Sequence, residues 1–274
     1  DLDKNSIAPS YYEKLIQYGR KFVSFNWPAD IRTVKTYHIT EYFYSMQEQG
    51  KTQRNILAIL KMFFEHLHRQ DYLVDMPKFP AMPEVVEKEI VWIDKATQIK
   101  ILQHIPASDQ PIFKFLFATG LRPAEVRALK WKDIDRENMC IHIRSGFSGG
   151  TYREITKTKR QWTIPLLRSI TETLSDIVRD LRTEHIFFYS DSKGRFYKSY
   201  GSKKLREVWN TACKLSGVTG VTMYQGTRHS FASQHVNEGV NLTDIGAMMG
   251  HTNTQTTKKY AHLDKLKRLK DVFE

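Results

Sequence analysis

Three prolines, Pro77, Pro80 and Pro83, followed by acidic and basic residues through Lys88, cut this 274-residue chain into two parts that cannot share one continuous pattern. The stretch from about Pro77 to Val91 therefore reads as an extended linker. We expect a first domain at 1–78, a linker at 79–92 and a second domain at 93–274. Upstream of the break the apolar residues recur at helical spacing. Ser10 to Asn26 carries Tyr11, Leu15, Tyr18 and Phe22 on one side and is stopped by Trp27-Pro28. Thr40 to Gln49 repeats the pattern and ends at Gly50, and a third helix runs from about Thr52 to Gln70. Their aromatics are expected to pack as core.

Downstream, both periods occur. Asp94 is placed to cap a helix through His104, Pro111 opens another to Thr119, and Gly120 leads into a third near Pro123. Met139–Ile143, Tyr152–Thr156 and Gln161–Ile164 alternate as strands of one small antiparallel sheet. Helical patterns then cover Leu166–Arg182, Lys198–Ser216, Thr227–Glu238, Leu242–Met249 and Gln255–Ala261, before a basic tail from Leu263 to Phe273. The expected fold class is mainly α with a small antiparallel sheet: a helical domain followed by an α+β domain.

The formal net charge of +12 calls for a polyanionic partner, with nucleic acid ahead of an anionic membrane surface. The excess sits downstream: residues 1–80 hold 11 Lys and Arg against 9 Asp and Glu, and the remainder 31 against 21. Cys140 and Cys213 are far apart and suggest neither a disulfide framework nor a Cys-rich zinc site, which fits a reducing, cytoplasmic setting. No run of apolar residues approaches a membrane span, and the N-terminus has no signal-like pattern. It also starts without Met, as a fragment of something longer would.

Four downstream segments carry groups suited to a phosphate. Ala118-Thr119-Gly120-Leu121-Arg122-Pro123-Ala124-Glu125 places an arginine at a glycine turn entering a helix. Lys157-Thr158-Lys159-Arg160 is a basic turn leading into a strand that ends at Pro165. Gly226-Thr227-Arg228-His229-Ser230-Phe231-Ala232 puts Arg228 in what reads as a first helical turn, where the helix N-terminus adds to its attraction for an anion. Gly250-His251 ends one helix, and Tyr260 follows nine residues on. Singly, each is more ordinarily a solvated cation or a core tyrosine.

In this order and spacing the segments resemble the tyrosine recombinase family, which includes the phage integrases. The resemblance is clear over roughly Ile90 to His262, and the upstream helices match the family's core-binding domain in size and character. It implies that Arg122 is the first catalytic arginine, with Glu125 its acidic neighbour, that Lys157 is the hairpin lysine, and that Arg228 is the second arginine. It further implies that His251 is the histidine of the Gly-His segment and Tyr260 the nucleophile. One departure stands out: the family usually has His three residues before the second arginine, and this chain has Gln225. We expect Gln225 to keep the phosphate-binding part of that role, an amide being unable to transfer protons. His229 is set apart, because a His following the arginine is common in the family and sits on another helical face.

The implied activity is site-specific DNA recombination through a covalent 3′-phosphotyrosine, for integration or excision of a mobile element. No metal and no cofactor is expected, since the sequence has no Walker loop, no carboxylates spaced for two metals and no His/Cys ligand set. The expected partners are double-stranded DNA, gripped by both domains, and further copies of the chain. Four subunits would assemble on two sites with exchange of the C-terminal helix, the tail's Leu266, Leu269, Val272 and Phe273 docking on a neighbour. Two other readings stay open on the sequence. A type IB topoisomerase uses similar chemistry as a monomer, and a non-catalytic DNA-binding protein on the same fold is suggested by Gln225.

Overall fold

A computed structural model describes residues 9–84, 89–148, 150–154, 161–189, 198–251, 257 and 260. The chain forms two compact units, residues 1–88 and 89–274. No described helix is long and apolar enough to cross a membrane.

The first unit is built from α1 (Pro9–Val23), α2 (Thr36–Ser45) and α3 (Gly50–Arg69). Val34, Ile39, Tyr42, Ile56, Leu60, Phe64 and Leu73 form its core, with Phe22, Phe25 and Trp27 packed against it. The Trp27 indole N–H donates to the Phe22 carbonyl at 2.7 Å, so the residue that breaks the helical pattern also satisfies the end of the helix. Several boundaries differ from the sequence expectation, the first helix ending at Val23 and not at Asn26. The second helix starts and ends four residues earlier than Thr40–Gln49, and Gly50 opens the third helix instead of closing the second. The proline stretch begins packed: Phe79 contacts the Phe64 ring, and the Lys78 N–H donates to Thr36 Oγ1 at 3.1 Å.

In the second unit, Asp94 caps α4 (Lys95–Leu102) by accepting from the Thr97 N–H at 2.7 Å. α5 (Gln110–Thr119) ends on Gly120 in the left-handed conformation, at φ 60°, and α6 (Pro123–Val126) follows at once. Gly120 is needed twice over, because a Cβ there would also lie 2.3 Å from the Phe231 ring. The strands are β1 (Ile134–Asp135), β2 (Cys140–Ile143), β3 (Gly146–Ser148), β4 (Thr151–Arg153) and β5 (Trp162–Pro165). They form two sheets, not the single one expected. β1, β2 and β5 pair antiparallel in that order, with Ile141 opposite Ile164, while β3 and β4 make a separate hairpin with Phe147 opposite Tyr152.

The helix expected over Leu166–Arg182 is only α7 (Arg168–Ser175). β6 (Phe188–Tyr189) and β7 (Lys198–Ser199) pair, and α8 (Ser202–Leu215) follows. Trp209, Phe113, Phe115, Leu116, Ile141 and Ile164 belong to one buried core. The helix expected from Thr227 starts a turn earlier, at Met223, runs through a π-helical turn at Gln225–His229 and continues as α9 (Ser230–Asn237). α10 (Leu242–Met248) then leads toward Tyr260. A second cluster of Phe231, Ala232, Val236, Ile245 and Met249 encloses the Tyr260 ring. The stretches expected as the Tyr152–Thr156 strand end, the Gln255–Ala261 helix and the basic tail lie wholly or largely outside the described residues.

Candidate active site

The π-helical turn sets the geometry. A single wide turn shifts the direction of the residues it carries relative to a regular α-helix, and such turns recur at functional sites. Here Gly226 lets the wide turn lie flat on the Trp209 indole, where a Cβ would stand 2.2 Å from the ring. Ser230 closes the turn, with its backbone N–H and its hydroxyl both donating to the Gln225 carbonyl.

Arg228, in this turn, is 1% exposed. Its guanidinium donates to the Gly120 carbonyl at 2.7 Å and to the Met249 carbonyl at 3.0 Å. These two residues are the C-caps of α5 and α10, so the cation sits between the negative ends of two helices. That explains how a full charge tolerates burial, and it corrects the expectation that Arg228 acts from the N-terminus of its own helix. Burial still depresses its pKa; Tyr224, Glu125 and Tyr260 work against that depression and Arg122 adds to it.

Arg122 stands at the start of α6, with its N–H on Glu125 Oε2 and its guanidinium on Glu125 Oε1, both at 2.9 Å. Glu125 is 2% exposed and has its charge balanced by this reciprocal cap. Two arginines and one carboxylate therefore share a small volume with one positive charge in excess, a setting that favours a bound anion.

Tyr260 is 0% exposed, and burial holds its hydroxyl well above the usual tyrosine range while Arg228 pulls the other way. The hydroxyl meets His229 Nδ1 at 2.6 Å. This contact overturns the reasoning that set His229 aside. On an α-helical wheel neighbouring residues face apart, but the π turn presents Arg228 and His229 toward the same cluster. The Arg-His pair marks the position in the sequence but not the π turn that brings the two side chains to one cluster.

His251 is half-buried; its Nδ1 is 2.7 Å from Thr257 Oγ1 and its N–H donates to the Gly246 carbonyl. It follows Met249, which binds Arg228, by two residues. Gln225 is turned elsewhere. Its Oε1 accepts from the Thr222 N–H at 2.9 Å and from the Thr222 hydroxyl at 2.8 Å, while its own N–H donates to Thr222 Oγ1 at 3.3 Å. This is a capping box at the true start of the helix. Lys157 lies outside the described residues.

A second grouping, unforeseen in the sequence, lies on the β1–β2 pair. Asp135, Cys140 and His142 bring an oxygen, a sulfur and a nitrogen within 4.8 Å of one another, and these residues could furnish three ligands to a metal ion. The strand register makes it, since Asp135 pairs with Cys140 and His142 follows two residues on, on the same face. Buried polar contacts elsewhere are structural. Tyr200 donates to Asp109 at 2.6 Å, and Arg127, its pKa lowered to about 10 by burial, bonds the Tyr200 carbonyl and lies 4.5 Å over the Phe147 ring.

The family described as Phage integrase matches residues 85–267. The chain belongs to the phage integrase family. It is a tyrosine recombinase, an enzyme that breaks and rejoins DNA, with the mainly helical fold and small antiparallel sheets of that family. Tyrosine recombinase XerD of Listeria monocytogenes serotype 4b (strain F2365) is 27% identical, the match covering 100% of this chain and 92% of that protein. The ICEBs1 integrase of Bacillus subtilis (strain 168) is 26% identical over 97% of this chain and 78% of its own length. In fold, the chain is similar to the Tn1549 transposon integrase solved with a circular intermediate DNA. That match has a TM-score of 0.72 and 19% identity over 91% of this chain and 88% of the other. It is likewise similar to a lambda integrase dimer bound to a core site, with a TM-score of 0.73 and 16% identity over 93% and 89%.

Proposed function

We propose that this recombinase cuts duplex DNA by attack of Tyr260 on a phosphodiester, forming a 3′-phosphotyrosine that a 5′ hydroxyl later displaces, and that it serves to integrate or excise a mobile element. The observation that carries the reading is the Tyr260 hydroxyl lying in the field of a wholly buried Arg228, whose guanidinium two helix C-termini fix in place. Fixed donors stabilise charge that builds on the non-bridging oxygens without reorganising, each typically worth about 2.7–4 kcal/mol. Arg228 and Arg122 fill that role, with Glu125 orienting Arg122. A hydroxyl with no exposure cannot touch a substrate, so the cover over Tyr260 has to open when DNA is engaged.

Lys157 is assigned as the acid that protonates the leaving 5′ oxygen, and His251 as a donor to a phosphate oxygen. Gln225 uses only its carbonyl oxygen in the cap, which leaves two amide donors for a phosphate. Duplex DNA as the partner is supported by the basic charge and by relatives solved on DNA. Assembly as four subunits on two sites rests on the apolar stripe of the tail sequence, and the place of action is the cytoplasm. The test is a nicked half-site that traps cleavage. Tyr260→Phe should fold and bind DNA as the parent does, yet give no SDS-resistant adduct; an adduct from the Phe protein would overturn the assignment.

A further inference from the structure

The geometry points to His229 as the group that takes the proton from Tyr260 during cleavage and returns it during rejoining, a role that Gln225 cannot fill in this chain. The inference rests on Tyr260 being the nucleophile and adds to that reading the destination of its proton.

A tyrosine hydroxyl with its unperturbed pKa of about 10 is a poor nucleophile at neutral pH unless a base accepts its proton as the bond to phosphorus forms. Position 225 holds an amide, which does not titrate between pH 5 and 9, and its oxygen is engaged by Thr222. His229 Nδ1 lies 2.6 Å from the Tyr260 hydroxyl, within the distance over which a general base works. For the hydroxyl to donate, the imidazole must be neutral with its proton on Nε2. The ring is held by the Tyr224 ring edge-on, with centroids 5.1 Å apart, and by the π turn that carries it. Among the described residues, the titratable and charged groups around the pair include Tyr224 and Arg228 from the same helix and, through their field on Arg228, Arg122 and Glu125 from the start of α6.

The proton and electron count closes without any further reactant. In cleavage the Tyr260 oxygen forms its bond to phosphorus, its proton passes to His229 Nδ1, and the bond from phosphorus to the 5′ oxygen breaks with that oxygen protonated by a separate acid. In rejoining a 5′ hydroxyl attacks and returns its proton to that same acid, the tyrosine–phosphorus bond breaks, and His229 gives its proton back to the Tyr260 oxygen.

The test uses His229→Asn, because an asparagine side-chain oxygen can take the place of Nδ1 and accept the same hydrogen bond without titrating. On a trapping half-site the variant should bind DNA like the parent but cleave about 10²–10⁴-fold more slowly, the range of a lost general base. Parent cleavage should rise with pH through an ionisation in the histidine range, and the variant should lose that rise. Slowing should be equal on substrates with oxygen or sulfur at the 5′-bridging position, since the leaving group is not involved. Three results would each overturn the proposal: a His229→Asn variant at the parent rate, a defect rescued by the sulfur substrate, or parent cleavage independent of pH from 5.5 to 8. The last needs no variant and stands even if the substitution prevents folding. Peptide mapping of the parent adduct separates the two readings, for an adduct elsewhere than Tyr260 removes the nucleophile assignment, while one on Tyr260 with an unchanged variant removes His229 alone.

Discussion

The helical unit packs ring against ring: Phe22 meets Trp27, Tyr42, Phe63 and Phe64, and Phe25 meets Trp27 and Tyr42. The second unit has an apolar core as well, but every buried polar or charged residue among the described residues belongs to it, Asp109, Glu125, Arg127, Thr227 and Arg228 included. Apolar burial stabilises in proportion to area and is indifferent to direction. A buried charge is tolerable only with donors and acceptors placed around it. Chemistry on a phosphate needs fixed, desolvated charge, so the two demands coincide and the reactive groups gather in the unit that can hold them.

Substitutions at three positions press on this contrast. The largest effect on stability should come from the helical unit. Phe64→Ala removes a fully buried ring from the aromatic cluster and should cost about 3–5 kcal/mol in urea denaturation. A loss below about 1 kcal/mol would mean that the unit can collapse around the gap and is not packed as described. Next is Arg228→Met, which keeps an unbranched side chain but leaves the Gly120 and Met249 carbonyls without their donor. Two orphaned groups at about 1–3 kcal/mol each, partly offset by removal of a desolvated charge, should leave a loss in the region of 2–4 kcal/mol, together with loss of cleavage. A Met protein as stable as the parent would show that the guanidinium is buried at no structural gain and would break the contrast.

The smallest effect separates the two uses of Gln225. Gln225→Ala should cost about 1 kcal/mol as a lost cap, whereas Gln225→Glu should keep the cap and the stability. If the amide donors also serve the phosphate, both variants slow cleavage; if only Ala is affected, in stability alone, Gln225 is a cap and nothing more.

The same contrast explains what was legible in the sequence. Helix periodicity is an apolar signal, so all three N-terminal helices were readable, with errors in where they begin and end, as at Gly50, which could close one helix or open the next. Asp94, Pro111 and Gly120 likewise marked their helix ends through local chemistry. Arg122, Arg228, His251 and Tyr260 were singled out by motif, but their arrangement was not readable. Nothing local says that Arg228 bonds the ends of two other helices, and a regular helical wheel misplaces His229 because the turn is π-helical. The Asp135, Cys140 and His142 grouping depends on strand register, which the pattern of alternation left unset. The split of the strands into two sheets escaped for the same reason.

On the function proposed above, Tyr260 is the residue that becomes bonded to DNA. This assignment is tested most directly by trapping the parent protein on a nicked half-site, digesting the complex and sequencing the nucleotide-bearing peptide by tandem mass spectrometry. The expected product is a single modified tyrosine, Tyr260, joined to a 3′ phosphate. A peptide modified at Tyr224 or any other residue, or a phosphate joined through its 5′ side, would contradict it.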